Sequence, residues 1–313
     1  MGRSKKGRSV SGWIILDKPR GVTSTHAVGR IKGIFDARKV GHAGTLDPLA
    51  TGILPIALGE ATKTVSYAVH DEKAYEFTVR WGVETATDDA EGTLAYKSDL
   101  RPSVAAIEAM LPVFVGEIEQ VPPRFSAIKV NGNRAYDLAR DGEEVVLSAR
   151  RVQIDELRIV DATDANHTTF AAICGKGTYV RSLARDFGRH LGCFGHISAL
   201  RRTRVGPFGI ESCVTFEMLE AALDQDCTGE VRCTAARDEL LMPVQAALDG
   251  VEHLSISEAD ASRLVRGQPV LMRGRDAPVV SGAAYATSRG RLIALVECEG
   301  GTLRPTRVFN LGS

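Results

Sequence analysis

Apolar residues recur along the chain with two periods, one typical of strands and the other of helices. An apolar run over Gly12–Leu16 predicts a short strand, and the strict alternation over Tyr75–Gly82 predicts a strand with one buried face. A third strand is predicted over Thr169–Cys174. Between residues 180 and 191, apolar residues at helical spacing predict a helix with a buried stripe.

Capping residues mark the starts of further helices. Ser24 is predicted to cap a helix that buries Val28, Ile31 and Phe35, and Ser103, which follows a proline, is predicted to open another. Strands are therefore mixed with scattered helices, without regular alternation of strand and helix. This arrangement favours an α+β fold over a doubly wound one.

The pattern changes in the last third of the chain. An acidic segment over 217–250 is expected to lead out of the first domain, after which Ser255 or Ser257 caps a short helix in which Leu264 and Val265 pack inwards. Three short apolar runs separated by glycine follow: Pro269–Met272, Ala284–Ala286 and Leu292–Val296. These runs predict a small β-barrel-like domain.

Length and composition agree with two domains. The chain has 313 residues, of which 44% are apolar and 25% charged, as in an ordinary globular protein. The predicted divisions are a basic disordered arm over 1–10, a first domain over 11–248 with a long insertion at about 122–150, and a second domain over 249–313.

Other features of composition exclude several classes of protein. No run of about 18 apolar residues exists, so no membrane-spanning helix is expected, and the N-terminus lacks the apolar stretch of a secretory signal. The six cysteines form no CxxC pair, which argues against a zinc site or a disulfide framework. Reduced thiols and a cytoplasmic location are expected.

Charge is unevenly distributed although the net charge is zero. Residues 1–45 carry ten Lys and Arg against two Asp, a net charge of +8, whereas residues 217–260 carry a net charge of −9. A chain with this segregation can present a polyanion-binding face at a near-neutral isoelectric point. Nucleic acid is one candidate partner, and a solvated surface is the alternative.

The densest polar loop signal is GHAGTLDPLATG over Gly41–Gly52. Its three glycines allow close backbone approach or positive φ, and Pro48 biases Asp47 towards an extended conformation. Taken alone, the run fits a structural turn better than an active site. No Gly-Lys-Ser/Thr follows, which excludes a phosphate-binding loop. A fixed carboxylate can nevertheless act as a nucleophile.

Several long motifs, in order along almost the whole chain, closely resemble the TruB family of tRNA pseudouridine synthases. The motifs are GWIILDKPRGVTS (12–24), KVGHAGTLDPLATGILPIALGEATK (39–63), KAYEFTVRWG (73–82), TDDAEG (87–92), PPRFSAIKVNGNRAYDLARDG (122–142), GKGTYVRSLARDFG (175–188) and ALRRTRVGPF (199–208). The resemblance implies a pseudouridine synthase fold with a mixed, mainly antiparallel central sheet and a PUA-type C-terminal domain.

The resemblance also implies an activity and its residues. The expected reaction is isomerisation of uridine 55 in the T-loop of tRNA, without a cofactor or metal. Asp47 matches the nucleophile, Tyr75 the active-site tyrosine that stacks on the base, and Arg181 the arginine that pairs with the nucleophile. The neighbouring Arg185 and Arg189 are expected to be solvated arginines on the helix face.

Five further residues match family positions around the substrate. Tyr179 and Leu200 match residues of the uracil pocket, and His42 matches the histidine that enters the space left by the flipped nucleotide. Lys18 and Pro19 match a motif that buttresses the catalytic loop.

The expected partner is tRNA, bound by its T-loop and acceptor arm to a monomer. The basic arm, the insertion at 122–142, which resembles a thumb that closes over RNA, and the run Arg201-Arg202-Thr203-Arg204 are the expected cations. Phe125 departs from the family pattern, in which tyrosine is expected.

Two alternatives remain. The chain could be an RNA-binding or tRNA-folding factor, although such a factor needs no carboxylate in an anionic-substrate site. A carboxylate-based glycosidase is the other alternative, but the sequence lacks a second acidic residue in a recognisable motif.

Overall fold

The computed structural model describes residues 7–70, 72–126, 128–130, 133–134, 147–226, 234–272 and 280–311. Much of the predicted basic arm and most of the predicted thumb therefore lie outside the described residues.

Nine strands of the described chain form one mixed sheet. They are β1 Gly12–Lys18, β2 Val40–His42, β3 Thr51–Leu58, β4 Lys73–Trp81, β7 Gly116–Gln120, β10 Arg150–Asp161, β11 His167–Cys174, β12 Gly195–Val205 and β13 Phe208–Gly209. The order is β1-β3-β12-β4-β11-β10-β7, with β2 beside β3 and β13 beside β12. Every pairing is antiparallel except that of β12 with β3. The predicted α+β class with a mixed, mainly antiparallel sheet is confirmed.

Two short hairpins and several helices complete this part of the chain. The hairpins are formed by β5 Val83–Thr85 with β6 Leu94–Lys97, and by β8 Lys129–Val130 with β9 Asn133–Arg134. The α-helices are Ser24–Ile34, Val65–His70, Val104–Met110, Val180–His190, Phe216–Asp226 and Ala235–Asp238. Single 3-10 turns lie at Gly59–Lys63, Leu111–Phe114, Ile210–Ser212 and Val244–Leu248.

The predicted alternation of β4 is confirmed and explains its central place. Tyr75, Phe77, Val79 and Trp81 are all buried, while the strand pairs with β12 on one side and β11 on the other. Burying one apolar face of a strand fixes its register, because a slip of one residue would expose the whole set. The position of Tyr75 is therefore set by the core.

The helix Val180–His190 packs on this sheet by its predicted apolar stripe. Val180, Leu183 and Phe187 are buried, and the Phe187 ring stacks on Phe114 at 4.2 Å and on Phe170 at 5.3 Å between ring centroids. Aromatic contacts of this kind add to the free energy of burying apolar area. They hold the helix, with its arginines, against the sheet.

The predicted cap of the first helix is wrong by one residue. Thr23, not Ser24, is the N-cap, and its side chain accepts a hydrogen bond from the His26 amide. Ser24 is buried as the first helical residue, because its hydroxyl bonds both the amide and the carbonyl of Leu46 at 2.9 Å. The Ser24 hydroxyl thus binds the backbone of the loop over 41–52. Ser103 caps its helix as predicted.

A second sheet forms the C-terminal β domain, which confirms its prediction. Its strands are β14 Glu252–Ser255, β15 Val270–Leu271, β16 Gly282–Ser288, β17 Arg291–Glu299 and β18 Thr302–Val308, in the order β14-β16-β17-β18-β15. The helix Glu258–Val265 is capped by Ser257 and buries Leu264. Val265 was predicted to pack inwards, but it is 49% exposed on the outer face of the last helical turn.

The acidic segment packs against the first domain before the chain continues into the C-terminal sheet. It folds back as the helix Phe216–Asp226, where Glu220 pairs with Arg30 and the Arg30 guanidinium lies 4.0 Å from the centroid of the Phe216 ring. Asp238 pairs with Arg8 at 2.6 Å. Opposite charges of the two segregated segments therefore meet in the fold.

The two sheets share one hydrophobic cluster. Trp13 of β1, Phe208 of β13, Leu295 of β17 and Phe309 all belong to it. Buried apolar residues from both sheets fix the C-terminal sheet against the first. No helix in the described ranges is long and apolar enough to cross a membrane.

Candidate active site

Asp47 lies in the loop between β2 and β3 and faces the start of the helix Val180–His190. Its Oδ2 atom is 2.9 Å from Nε of Arg181. The Arg181 side chain is only 6% exposed, whereas that of Asp47 is 37% exposed. The carboxylate is thus paired on its inner side and accessible on its outer side.

The Arg181 guanidinium is fixed by further acceptors. Its two terminal nitrogens donate to the carbonyls of Thr87 at 3.0 Å and Phe125 at 2.9 Å, and Nη1 lies 3.8 Å from Oδ2 of the buried Asp89. A planar guanidinium with acceptors on each nitrogen has one orientation. The carboxylate of Asp47 is therefore held by a rigid donor. Phe125 contributes its backbone carbonyl, which does not depend on the hydroxyl missing from this position.

Lys18 supports the loop from beneath. Its ammonium group donates to the carbonyls of Pro19 at 2.9 Å, Val22 at 2.8 Å and Pro48 at 3.4 Å, and the residue is buried. Burial lowers the pKa of Lys18 to about 8, against the opposing charge of Asp47. Pro19 is exposed and takes part through its carbonyl.

Two glycines of the loop have the backbone conformation that its sequence suggests. Gly44 has a φ of +88° and Gly52 a φ of +93°, a region that side chains other than glycine rarely adopt. A Cβ atom at Gly52 would lie 2.2 Å from the carbonyl oxygen of Arg202. Gly41 needs neither positive φ nor close approach, since it lies in β2 with no atom near its missing side chain.

Tyr75 is buried on β4, close enough to Asp47 for the carboxylate charge to affect the ionisation of the phenol. Burial raises the pKa of Tyr75; the Arg202 guanidinium opposes the rise, while Cys174 and Asp47 add to it. The phenol is therefore neutral near neutral pH.

The other predicted residues lie on elements around the loop. Leu200 is buried on β12, paired with Phe77. Tyr179 precedes the arginine-bearing helix as its N-cap, and the Gln120 side chain bonds both its amide and its carbonyl, at 2.8 and 3.1 Å. His42 ends β2, where burial, with the charge of Arg202, lowers its pKa below 6.5. Among the predicted residues, Asp47 contacts Arg181 directly, and Lys18 contacts the loop directly.

This arrangement suits covalent catalysis by a carboxylate. An ionised, oriented and partly exposed carboxylate is a nucleophile, and a buried phenol beside it can pack against a planar base. Among the described residues, no cluster of His, Cys, Asp and Glu is arranged to hold a metal ion.

Comparisons with known proteins identify the family. Residues 32–180 match the TruB family pseudouridylate synthase (N terminal domain), and residues 181–249 match the tRNA pseudouridylate synthase B C-terminal domain. A tRNA pseudouridine synthase B of Bradyrhizobium diazoefficiens is 56% identical over 304 residues, which cover 97% of this chain and 87% of that one. The chain belongs to the TruB family.

Three further comparisons agree with this TruB-family assignment. A tRNA pseudouridine synthase B of Brucella melitensis is 54% identical over 318 residues, with 98% of each chain covered. A solved Cbf5-Nop10-Gar1 complex contains a chain with a TM-score of 0.73 and 25% identity, covering 96% of this chain and 85% of that one. The archaeal Nop10-Cbf5 complex gives a TM-score of 0.73 at 23% identity, a likeness of fold. The predicted pseudouridine synthase fold is confirmed.

Sequence reasoning missed the partners of the other arginines on the TruB-family helix. Arg185 and Arg189 were expected to be solvated, but Arg185 pairs with Asp88 at 3.0 Å with both side chains buried. Arg189 donates two hydrogen bonds, of 2.9 and 2.6 Å, to the buried Glu84. The spacing of the arginines and the acidic motif TDDAEG were both visible in the sequence. Only the fold shows that they face each other.

The run Arg201-Arg202-Thr203-Arg204 does not supply three free cations for RNA. Arg201 pairs with Asp17 through two hydrogen bonds and Arg204 with Glu72. Arg202 is 1% exposed. In this TruB-family chain the strand register turns Arg202 into the protein, which the run alone does not reveal.

Proposed function

We propose that this chain converts uridine 55 in the T-loop of tRNA to pseudouridine, with Asp47 as the nucleophile. The observation that carries the proposal is the ion pair of Asp47 with Arg181, at 2.9 Å, in a loop whose outer side is open. Membership of the TruB family supplies the reaction class. The relatives named tRNA pseudouridine synthase B support tRNA as the substrate.

The reaction exchanges one bond of the ribose for another. The bond between C1′ and N1 of uracil breaks, a bond between C1′ and C5 forms, C5 loses a proton and N1 gains one. Atoms and electrons balance without an oxidant or reductant, so the proposal includes no cofactor. Attack by Asp47 on either the uracil ring or the ribose C1′ requires an ionised carboxylate, which Arg181 holds in place.

The base must leave the stack before this chemistry begins. Extruding a nucleotide costs a few kcal/mol, which pocket contacts offset. We assign Tyr75 to stacking on the uracil and Tyr179 and Leu200 to the walls of its pocket; Tyr75 and Leu200 lie on adjacent strands. His42 is assigned to the space that the flipped nucleotide leaves.

Lys18 and Pro19 are assigned to support of the loop rather than to chemistry. The hydrogen bond from Lys18 to the carbonyl of Pro48 reaches the residue next to the nucleophile. A small displacement of a reacting group lowers the rate steeply, so support of this kind contributes to turnover.

We extend the proposal to the division of the chain into domains. A catalytic domain over 11–248, with a basic arm at 1–10 and a thumb at about 122–150, would bind the T-loop, and a domain over 249–313 would bind the acceptor arm. The two separate sheets support this division. We further propose a monomer that acts in the cytoplasm. The paired carboxylate favours an enzyme over a pure RNA-folding factor, because an unused carboxylate would repel the phosphates.

The test uses purified full-length protein and unmodified tRNA transcripts. A transcript with uridine at position 55 is expected to gain pseudouridine there, mapped by chemical modification and primer extension. The control transcript carries cytidine at position 55 and is expected to gain none. Pseudouridine at another position, or equal product from both transcripts, would contradict the proposed site of modification.

A further inference from the structure

Arg202 lies between two parts of the candidate site in the sheet. On β12 it pairs with Tyr75 of β4 on one side and with Gly52 of β3 on the other. Side chains of directly paired residues share a face of the sheet. Gly52 has no side chain, so the backbones approach closely there and the space beside the loop is left to Arg202.

Each nitrogen of the Arg202 guanidinium donates to a backbone carbonyl around the loop that carries Asp47. The guanidinium donates from Nε to the carbonyl of Ile53 at 2.8 Å, from Nη2 to that of Gly44 at 3.0 Å, and from Nη1 to that of Thr45 at 3.4 Å. These carbonyls lie on both sides of Asp47 in the chain. One side chain therefore joins the two ends of the catalytic loop.

The charge of Arg202 is not neutralised by a contact. No carboxylate among the described residues forms an ion pair with it, although the side chain is buried. Burying an arginine without a carboxylate is unfavourable, and a neutral side chain could fill a purely structural position. Its nearest titratable neighbours are groups of the site.

We propose that Arg202 is a positioning residue for pseudouridine formation, which holds the Asp47 loop by its carbonyls and holds the Tyr75 phenol against the same guanidinium. The inference deepens the proposed function and rests on it. Arg202 touches neither substrate nor reacting atoms in this proposal, and it acts through the loop and through Tyr75.

Electrostatics supports the pairing with Tyr75. Burial lowers the pKa of Arg202, and the phenol of Tyr75 is the first influence that counters this, ahead of Asp47. In return, the charge of Arg202 is the first influence that restrains the rise in the pKa of Tyr75. The Tyr75 hydroxyl also forms a hydrogen bond with the Arg202 guanidinium, which adds a direct contact to the pairing of the two residues in the sheet.

The test compares Arg202→Lys with Arg201→Lys, the adjacent arginine that pairs with Asp17. Lysine keeps the charge but cannot reach three carbonyls in a planar fork. We expect Arg202→Lys to lower the single-turnover rate on tRNA by about 100-fold. The dissociation constant for tRNA is expected to stay within about threefold. Arg201→Lys is expected to leave the rate within about threefold of the original protein.

A second comparison separates positioning from general loosening of the fold. In a Tyr75→Phe background, which lacks the hydroxyl, Arg202→Lys is expected to lower the rate by less than about tenfold, because the two residues act as a unit. An equal loss in both backgrounds, an unchanged rate, or a loss explained by tRNA affinity would overturn the proposal.

Failure of the Arg202 proposal can be distinguished from failure of the proposed function and from misfolding of the variant. If the unaltered protein forms no pseudouridine 55, the proposed function fails before Arg202 is tested. If Arg202→Lys does not fold, Gly44→Ala disturbs the same contact from the other side, because Gly44 has a φ of +88°, which alanine rarely adopts, and its carbonyl accepts from Nη2 of Arg202. An unchanged single-turnover rate in Gly44→Ala would overturn the proposal equally.

Discussion

At the scale of single residues, the Asp47 carboxylate has one fixed side and one free side. Arg181 occupies the fixed side, and two backbone carbonyls and the Asp89 carboxylate surround the rest of its guanidinium. When the carboxylate reacts, this arginine needs to reorient very little, because its donors are already in place. The free side is where a substrate atom can approach.

Replacing Arg181 with lysine tests whether orientation matters as well as charge. Lysine keeps one positive charge but cannot bind Asp47 and two carbonyls together. We expect Arg181→Lys to lower the single-turnover rate by about 100-fold, with tRNA affinity within about tenfold, or ~1.4 kcal/mol. Rapid-quench kinetics and filter binding measure the two quantities. A loss confined to binding would contradict the pairing.

The predictability of these residues from sequence was uneven. The family motif predicted that Arg181 faces Asp47, and the contact at 2.9 Å is where the resemblance implied it. Arg202 could not be assigned, because three arginines within four residues look alike in sequence and only the strand register sends one of them inwards. The prediction that Ser24 is the cap failed for a similar reason, since three hydroxyl residues, Thr23, Ser24 and Thr25, stand side by side and tertiary contacts chose among them.

At the scale of elements, three arginines join the helix Val180–His190 to carboxylates within residues 84–89. Arg181, Arg185 and Arg189 stand on successive turns, and Asp89, Asp88 and Glu84 meet them in reverse order. Pairs that are buried and hydrogen-bonded on each side hold geometry more strictly than exposed ones. The helix that carries Arg181 is thereby fixed in rotation.

The Asp88 carboxylate gives this junction a measurable pH dependence. Burial raises the pKa of Asp88 from 3.8 to about 6, against the opposing charges of Arg185 and Arg181. The folded protein therefore binds this proton more tightly than the unfolded chain. The stabilising contribution of this bound proton is fully present below pH 3.8 and is lost as pH rises through about 6.

Asp88→Asn removes this titration and serves as the reference. We expect the free energy of unfolding of the original protein, less that of the variant, to fall between about pH 4 and about pH 6. Urea unfolding followed by circular dichroism at several pH values measures the difference. A difference that is constant, or that rises with pH, would show that the Arg185 pair outweighs burial.

The spacing of apolar residues in the sequence predicted the strands and helices themselves well. The alternation of β4 and the stripe of the helix Val180–His190 both appear as predicted, because each buries one apolar face. Periodicity could not predict which charged side chains lie opposite each other in the fold. Arg185 and Arg189 have the pattern of a solvated face, and the burial of Arg185 and the pairing of Arg189 depend on where residues 84–89 are placed by the fold.

At the scale of the whole molecule, the charge segregation in the sequence is partly cancelled by folding. Arg8 and Arg30 pair with Asp238 and Glu220 of the acidic segment. A linear count of charges therefore overstated the basic surface. The acidic segment helps to close the first domain and leads into the C-terminal sheet.

Contacts between the two sheets are apolar at the centre and polar at the edge. Phe309 is buried in the shared cluster. Beside it, Lys63 donates to the carbonyl of Val308 at 2.7 Å, and Glu60 accepts from the Asn310 amide at 2.6 Å. The end of the chain is thus held to the first domain.

Phe309→Ala is expected to weaken this contact. Truncating a buried phenylalanine costs about 3–5 kcal/mol, so the C-terminal sheet should separate or unfold first on heating. Scanning calorimetry and limited proteolysis detect this change. Leu271→Ala is the control, because Leu271 lies in the same sheet but is 43% exposed. Equal effects of the two substitutions would contradict the shared core.

We propose that the Asp47 carboxylate performs the chemistry. Asp47→Asn keeps the shape and removes the charge, so single-turnover measurement with a transcript carrying uridine 55 tests it directly. We expect no detectable pseudouridine, with tRNA binding within about tenfold of the original protein. Conversion of uridine 55 by Asp47→Asn at an undiminished rate would contradict it.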